Sequence, residues 1–354
     1  MEKASGDDHI MICLEVVGGH IEKDYLEDMS QEIFMKKKFL IFVILLLYSI
    51  LFAYTKDELI KLPAKQTDFY GGPFSRELFE KVRALQGNPA EYIAAFDDCY
   101  TYKNHELTAE EKKLFQEYFS YLPPKLQACF FDKVYAIYFI DGMVYGGLTD
   151  FIFDENQNKY CVIYLNSNTF HIDLDSWLTQ RDNTIFTKTD ELNRVKVQCS
   201  DKYKGLLHVL THEAVHVYDY INEITPYMDF FDGQEKSESE FYKYWKDKTH
   251  PIKKYNHQLL SKFSYYYFGN QIPLKEAKNL INYLSTTPFS TLYGAKNFQD
   301  DFAETLTFYI FKKKLNLNYK IEYISNGKTK ASYSLEENPN IHVWDSLCQN
   351  IVGF

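Results

Sequence analysis

Residues 212–216 read His-Glu-Ala-Val-His, and nothing else in the chain restricts its fold as tightly. The two histidines stand four positions apart, so on a helix their imidazoles leave one face about one turn from each other. The flanking sequence supplies that helix: Leu206, Leu207, Leu210 and Val217 form an apolar stripe that predicts a helix from Asp201 to Glu223. Imidazoles so placed suit two ligands of a tetrahedral zinc, with Zn–N distances of about 2.1 Å. Glu213 is rotated from His212 by roughly 100 degrees, so it can take a proton from a metal-activated water without binding the metal. A pair of surface histidines is the bland alternative, and the apolar stripe beside them argues against it.

Two histidines leave such a metal short of ligands, so a third must come from elsewhere in the chain. The segment from Tyr293 to Glu304 offers it. Asn297 is a candidate N-cap for a helix running to about Lys314, and the carboxylates of Asp300, Asp301 and Glu304 stand in its first turns. Asp300 and Glu304 share a face, whereas Asp301 points elsewhere and is expected to complement the helix dipole. Two further residues could orient a ligand imidazole: His208, one turn before His212, reads first as a plain helix-surface or core histidine, and Asp219, three residues after His216, equally as a solvated carboxylate.

Together, His212-Glu213-x-x-His216 and the later Tyr293-x6-Asp300-x-Phe302-Ala303-Glu304 resemble the gluzincin metallopeptidases of the anthrax lethal factor and Pro-Pro endopeptidase type. The resemblance implies that Tyr293 is the transition-state hydrogen-bond donor, Asp300 the third ligand and Glu304 an orienting carboxylate one turn on. It covers two short segments, and it departs from the family in two ways. Asp stands where the family's ligand is Glu, one methylene longer, which keeps Glu304 open as the alternative ligand. The spacer from His216 to Tyr293 is also long.

The N-terminus bears on location. Met35-Lys36-Lys37-Lys38 precedes the apolar run from Phe39 to Ala53, the pattern of a secretory signal peptide over 35–53. The run falls short of the roughly 20 apolar residues of a spanning helix, so no stable membrane insertion is expected once it is cleaved. Residues 1–34 are acidic and aperiodic, and are read as an overhang ahead of the true start or as a tail. The expected location is secreted, periplasmic or at the cell surface. Five cysteines follow the signal (Cys99, Cys129, Cys161, Cys199 and Cys348), an odd number that leaves both disulfides and free thiols open. A net charge of -10 with no basic stripe excludes nucleic acid as a natural partner.

The mature chain divides into a helical region, 54–125, and a catalytic domain, 126–354. In the first, Ser75 is expected to cap a helix over Arg76–Leu85, and Thr108 to open one over Lys112–Tyr121 with a capping box completed by Glu111. Strands are expected at 134–140, 148–153 and 160–165, the last as a substrate-binding edge, followed by the motif helix. Helices over 241–245, 257–268 and 274–284 are expected next, then the one after Asn297, then a hairpin around Asn326-Gly327. The fold class is α+β: a zincin-like two-lobed metallopeptidase with a small mixed sheet, the motif helix and a mainly helical lower lobe. The expected activity is zinc-dependent hydrolysis of peptide bonds in a peptide or protein substrate, with one zinc per chain, Glu213 as general base and Tyr293 as donor. The alternative is an exported binding or structural protein that keeps the fold without the catalysis.

Overall fold

A computed structural model describes residues 58, 60–225, 243–267, 269–339, 342 and 345–353. All of them belong to one compact unit, Ala53–Phe354. The expected signal peptide and acidic tail lie outside the described residues. No helix among the described residues is long and apolar enough to cross a membrane.

Among the described residues the architecture is α+β, built from eight principal helices and three small sheets. The helices are α1 (Asn88–Phe96), α2 (Ala109–Ser120), α3 (Pro124–Lys133), α4 (Leu174–Asn183), α5 (Gly205–Asn222), α6 (Ala277–Leu284), α7 (Phe298–Ile310) and α8 (Asp345–Val352). The main sheet contains β1 (Lys103–Asn104), β2 (Val134–Asp141), β3 (Gly147–Phe153) and β4 (Lys159–Asn166), in the order β1-β2-β4-β3. β2 and β4 are parallel, and β3 returns antiparallel to β4 with Thr149 opposite Ile163. β2 and β4 are almost wholly buried, which is why they read as continuous apolar runs rather than alternating ones. The strand at 160–165 was expected at an edge, yet it is interior. The edges are the two-residue β1 and the longer β3, whose outer side is bridged among the described residues only at Phe153, by Gln66.

A two-stranded parallel pair joins β5 (Phe186–Thr187) to β7 (Ile272–Pro273). The third sheet pairs β6 (Arg194–Gln198) with the hairpin β8 (Lys320–Ser325) and β9 (Lys328–Ser334). Asn326 and Gly327 turn that hairpin with φ of 52° and 68°, as the sequence predicted.

The capping box of α2 is complete: Thr108 accepts from Glu111 N, and Glu111 accepts from Thr108 N. The helix expected over Arg76–Leu85 is reduced to one turn, Leu78–Lys81. The chain then extends, with Arg83 N donating to Ile137 O, because pairing with β2 satisfies the backbone there. α2 ends ahead of Pro123, and Pro124 opens α3 at its first position, where its missing N–H costs nothing. The sequence reading missed α3, α4 and β6. The helix expected over 257–268 is only two short turns, at Leu260–Lys262 and Tyr265–Tyr267. All five described cysteines are free thiols.

α5 lies against β3 and β4 on one side and against α4 and α7 on the other. Gly205 permits the crossing with α4, since a Cβ there would sit 2.8 Å from Trp177. The helix is buried along most of its length, from Gly205 to Val217 and again at Asp219. The motif is therefore a core element, not a surface one.

Candidate metal centre

α5 and α7 bring the candidate ligands together. His212 Nε2 and His216 Nε2 are 3.1 Å apart, and Asp300 Oδ1 lies 3.4 Å from each. Ligands of a tetrahedral zinc at about 2.1 Å stand about 3.4 Å from one another, so this triangle has the edges such an ion requires. The local sequence explains how a short aspartate achieves this. Asn297 caps α7 by accepting from Asp300 N at 2.8 Å, and its Nδ2 donates to Asp300 Oδ2 at 2.6 Å. One carboxylate oxygen is thereby fixed and the other is left facing the two imidazoles.

Glu304, one turn along α7, is fully buried beneath His212. Its carboxylate accepts from Arg181 Nη1 at 3.0 and 3.1 Å and from Thr291 Oγ1 at 2.7 Å. His208 Nε2 lies 2.8 Å from Oε1, and His212 Nδ1 lies 3.1 Å from the same oxygen. His208, His212 and Glu304 thus form a second group of buried side chains close enough to hold a metal ion, alongside His212, His216 and Asp300. The two groups differ in what surrounds them. The Arg181 guanidinium already occupies Glu304, so a cation there would face a fixed positive charge.

The charge balance favours a cation in the first group. Burial alone would raise the Asp300 carboxyl, but the hydrogen bonds from His212 and His216 overcome it and hold the group well below its ordinary range. Burial likewise disfavours a charged His212, yet Asp300 and Glu304 outweigh it and push this imidazole up to about 10. His208 behaves oppositely: burial brings it down to about 4 against the pull of Glu304.

Glu213 is buried on the sheet side of α5. Thr149 Oγ1 of β3 donates to Glu213 Oε2 at 2.7 Å, and burial raises this carboxyl above its ordinary range. Two residues earlier on β3, a Cβ at Gly147 would lie 2.7 Å from Glu213 Oε1, so any larger residue there would displace this carboxylate. The ring of Tyr293 lies 5.8 Å from that of His212, packed edge-on against Tyr265 at 4.8 Å and beneath the Arg181 guanidinium at 4.9 Å. Every residue singled out in the motif and in the downstream segment, except Asp301, falls within this one cluster. Asp301 is buried away from it and accepts from Trp245 Nε1 at 3.0 Å instead of meeting the helix dipole at the surface.

Asp219 does not orient a ligand either. Its carboxylate accepts from Thr225 N at 2.6 Å and Thr225 Oγ1 at 2.7 Å, closing the turn after α5. Burial raises it to about 6. A carboxyl raised on folding destabilises the ionised protein, and the penalty grows as pH rises from its unfolded value near 4 through about 6. Asparagine would keep both contacts, with its amide donating to the Thr225 hydroxyl. The stability of Asp219→Asn relative to wild type, measured by urea unfolding with chelator present, should therefore rise by on the order of 2–3 kcal/mol between pH 4 and pH 7. A flat difference across that range would show that Asp219 stays ionised at no cost.

Arg181, Thr149, Thr291 and Gly147 were not legible in advance. Arg181 sits in a helix that the sequence reading missed, and a single arginine carries no motif. No protein-family model, curated protein or solved structure matches the chain.

Proposed function

We propose that this chain is an exported, single-zinc peptidase that follows the two-lobed zincin plan. α5 and the β-sheet would form one wall of the cleft, and α7 and the Tyr293 turn the other. The observation that carries the reading is the triangle of His212 Nε2, His216 Nε2 and Asp300 Oδ1 with a buried, fixed carboxylate beside it. His212, His216 and Asp300 would hold one zinc, and three protein ligands leave a coordination position free. When bound, the zinc supplies Lewis acidity, polarising a carbonyl and lowering the pKa of water to about 7.

The chain's own residues do the rest. Glu213, held by Thr149 and raised by burial, accepts the proton of the attacking water and passes it to the leaving amine. Tyr293, steadied by Tyr265 and Arg181, donates to the oxyanion as it forms. Glu304 orients the His212 imidazole from behind. An extended peptide would pair with the outer side of β3 near Gly147, the end beside Glu213 and away from the Gln66 bridge at Phe153.

The test is zinc content and peptide-library cleavage by residues 54–354, wild type beside Glu213→Gln. One zinc per chain in both proteins is expected, with cleavage in the wild type alone and a loss of at least about a hundredfold in the variant. Metal without cleavage in either would favour the exported, non-catalytic alternative. No metal in either would overturn the reading altogether.

A further inference from the structure

A cavity of about 570 Å³ opens beside the Tyr293 wall of the site. One face of α4 supplies its floor through Trp177, Arg181 and, just past the helix end, Thr184; Arg194 at the start of β6 and Tyr266 stand across from them. Tyr266 joins this cavity to the metal centre, for its ring lies 6.1 Å from that of Tyr293 and its N–H donates to Thr184 Oγ1 at 2.9 Å.

Three buried nitrogens on the side chains lining this cavity have no hydrogen-bond partner among the described residues: Trp177 Nε1, Arg181 Nη2 and Arg194 Nε. Trp177 is 6% exposed and Arg181 2%. Indole and guanidinium nitrogens only donate, so the missing partner of all three is an acceptor. Buried donors are normally satisfied, and three orphans on one cavity describe a site for an oxyanion. Its charge comes from Arg194, which makes no ion pair among the described residues, whereas Arg181 is already balanced by Asp182 and Glu304. At the mouth, Thr189, Asp190 and Glu191 are exposed, and the Asp190 carboxylate is committed to the turn by Leu192 N and Asn193 N. Acidic groups at the rim above a donor-lined floor disfavour a dianion and suit a single carboxylate carried on a neutral or basic segment.

We infer that this cavity binds a carboxylate of the ligand, either an Asp or Glu side chain or a free C-terminus, next to the metal centre. That this ligand is a peptide substrate rests on the peptidase reading; the anion site does not. Arg and Trp together give directional donors and charge, and the adjoining Tyr266 gives an apolar wall for the chain that carries the carboxylate.

The experiment has two readouts. N-acetylglutamate and N-acetylglutamine are titrated into the zinc-loaded protein while indole N–H resonances are followed, with Trp177→Phe assigning the Trp177 signal. N-acetylglutamate is expected to bind at least about tenfold more tightly and to shift the Trp177 resonance. Arg194→Gln should remove that discrimination and Arg194→Lys should restore part of it. In parallel, the kcat/KM ratio for matched peptides is measured, Glu against Gln at each position near the cleaved bond and free acid against C-terminal amide. The pair that shows the preference distinguishes a side chain from a terminus, and the preference should fall in Arg194→Gln mainly through KM. Equal binding of the two amino-acid derivatives, or discrimination unchanged in a folded Arg194→Gln protein, would overturn the site. Discrimination without any peptide cleavage would sustain it while removing the peptidase reading.

Discussion

Asp300→Ala is expected to weaken zinc binding by well over the roughly 10–100-fold that losing an orienting partner costs, whereas Glu304→Gln should fall inside that range. The difference follows from where each carboxylate spends its oxygens. Asp300 keeps Oδ1 3.4 Å from both ligand nitrogens while Asn297 holds Oδ2, so its removal deletes one corner of the triangle. Glu304 is engaged by Arg181, Thr291 and His208, and it would act on a zinc in the triangle through His212 Nδ1. Glutamine there keeps the volume and one acceptor but no longer favours the tautomer in which Nε2 faces the zinc. Competition with a chromogenic chelator measures both affinities at one pH. The reverse order would make Glu304 the ligand, and the roles of the two carboxylates would have to be exchanged. Asn297→Ala extends the comparison, since freeing Asp300 Oδ2 should cost affinity without removing any ligand.

Much of this centre was legible because helical spacing is a local property. His212, Glu213 and His216 lie within five residues, and Asn297, Asp300 and Glu304 within eight, so helix geometry alone fixes which of them share a face. That the two faces meet was not written in any local pattern. It depends on α5 and α7 crossing, and on Gly205 permitting the approach of α4 to α5. The errors have the same origin. Reasoning from apolar runs finds buried strands such as β2 and β4 but cannot say which strand is the edge, because strand order is a long-range property. The Arg76–Leu85 segment carries helical spacing, yet its backbone is claimed by β2 through Ile137. Asp219 follows His216 at a helical interval that suggested an orienting role; the turn at Thr225 claims its carboxylate instead. Arg181 was invisible for the plainest reason, since its partner Glu304, and Tyr319 that bonds the adjoining Asp182, are remote in sequence.

Arg181 is also where the largest loss of stability is expected. Its side chain is fully buried between two carboxylates: Nε donates to Asp182 Oδ1 at 2.9 Å and Nη1 to Glu304 at 3.0 Å, while Tyr319 donates to Asp182 Oδ2 at 2.9 Å. Such a network adds little over an apolar core of the same shape, but removing the guanidinium takes away the charge that balances two buried carboxylates. Arg181→Met keeps most of the volume and should cost about 3–5 kcal/mol, seen as a lower urea midpoint at unchanged slope. The deficit should depend on pH with a definite sign. In the variant, burial no longer opposed by the guanidinium raises the Asp182 and Glu304 carboxyls, so the folded state takes up protons as pH falls. Groups raised on folding contribute most stability below their unfolded pKa and lose it as pH rises. Arg181→Met should therefore lie closer to wild type at pH 5 than at pH 8, and Arg181→Met combined with Glu304→Gln should recover part of the loss at pH 8. A small deficit that does not vary with pH would mean that water reaches these carboxylates once the guanidinium is gone, and that the buried network is not what joins α4 to α7.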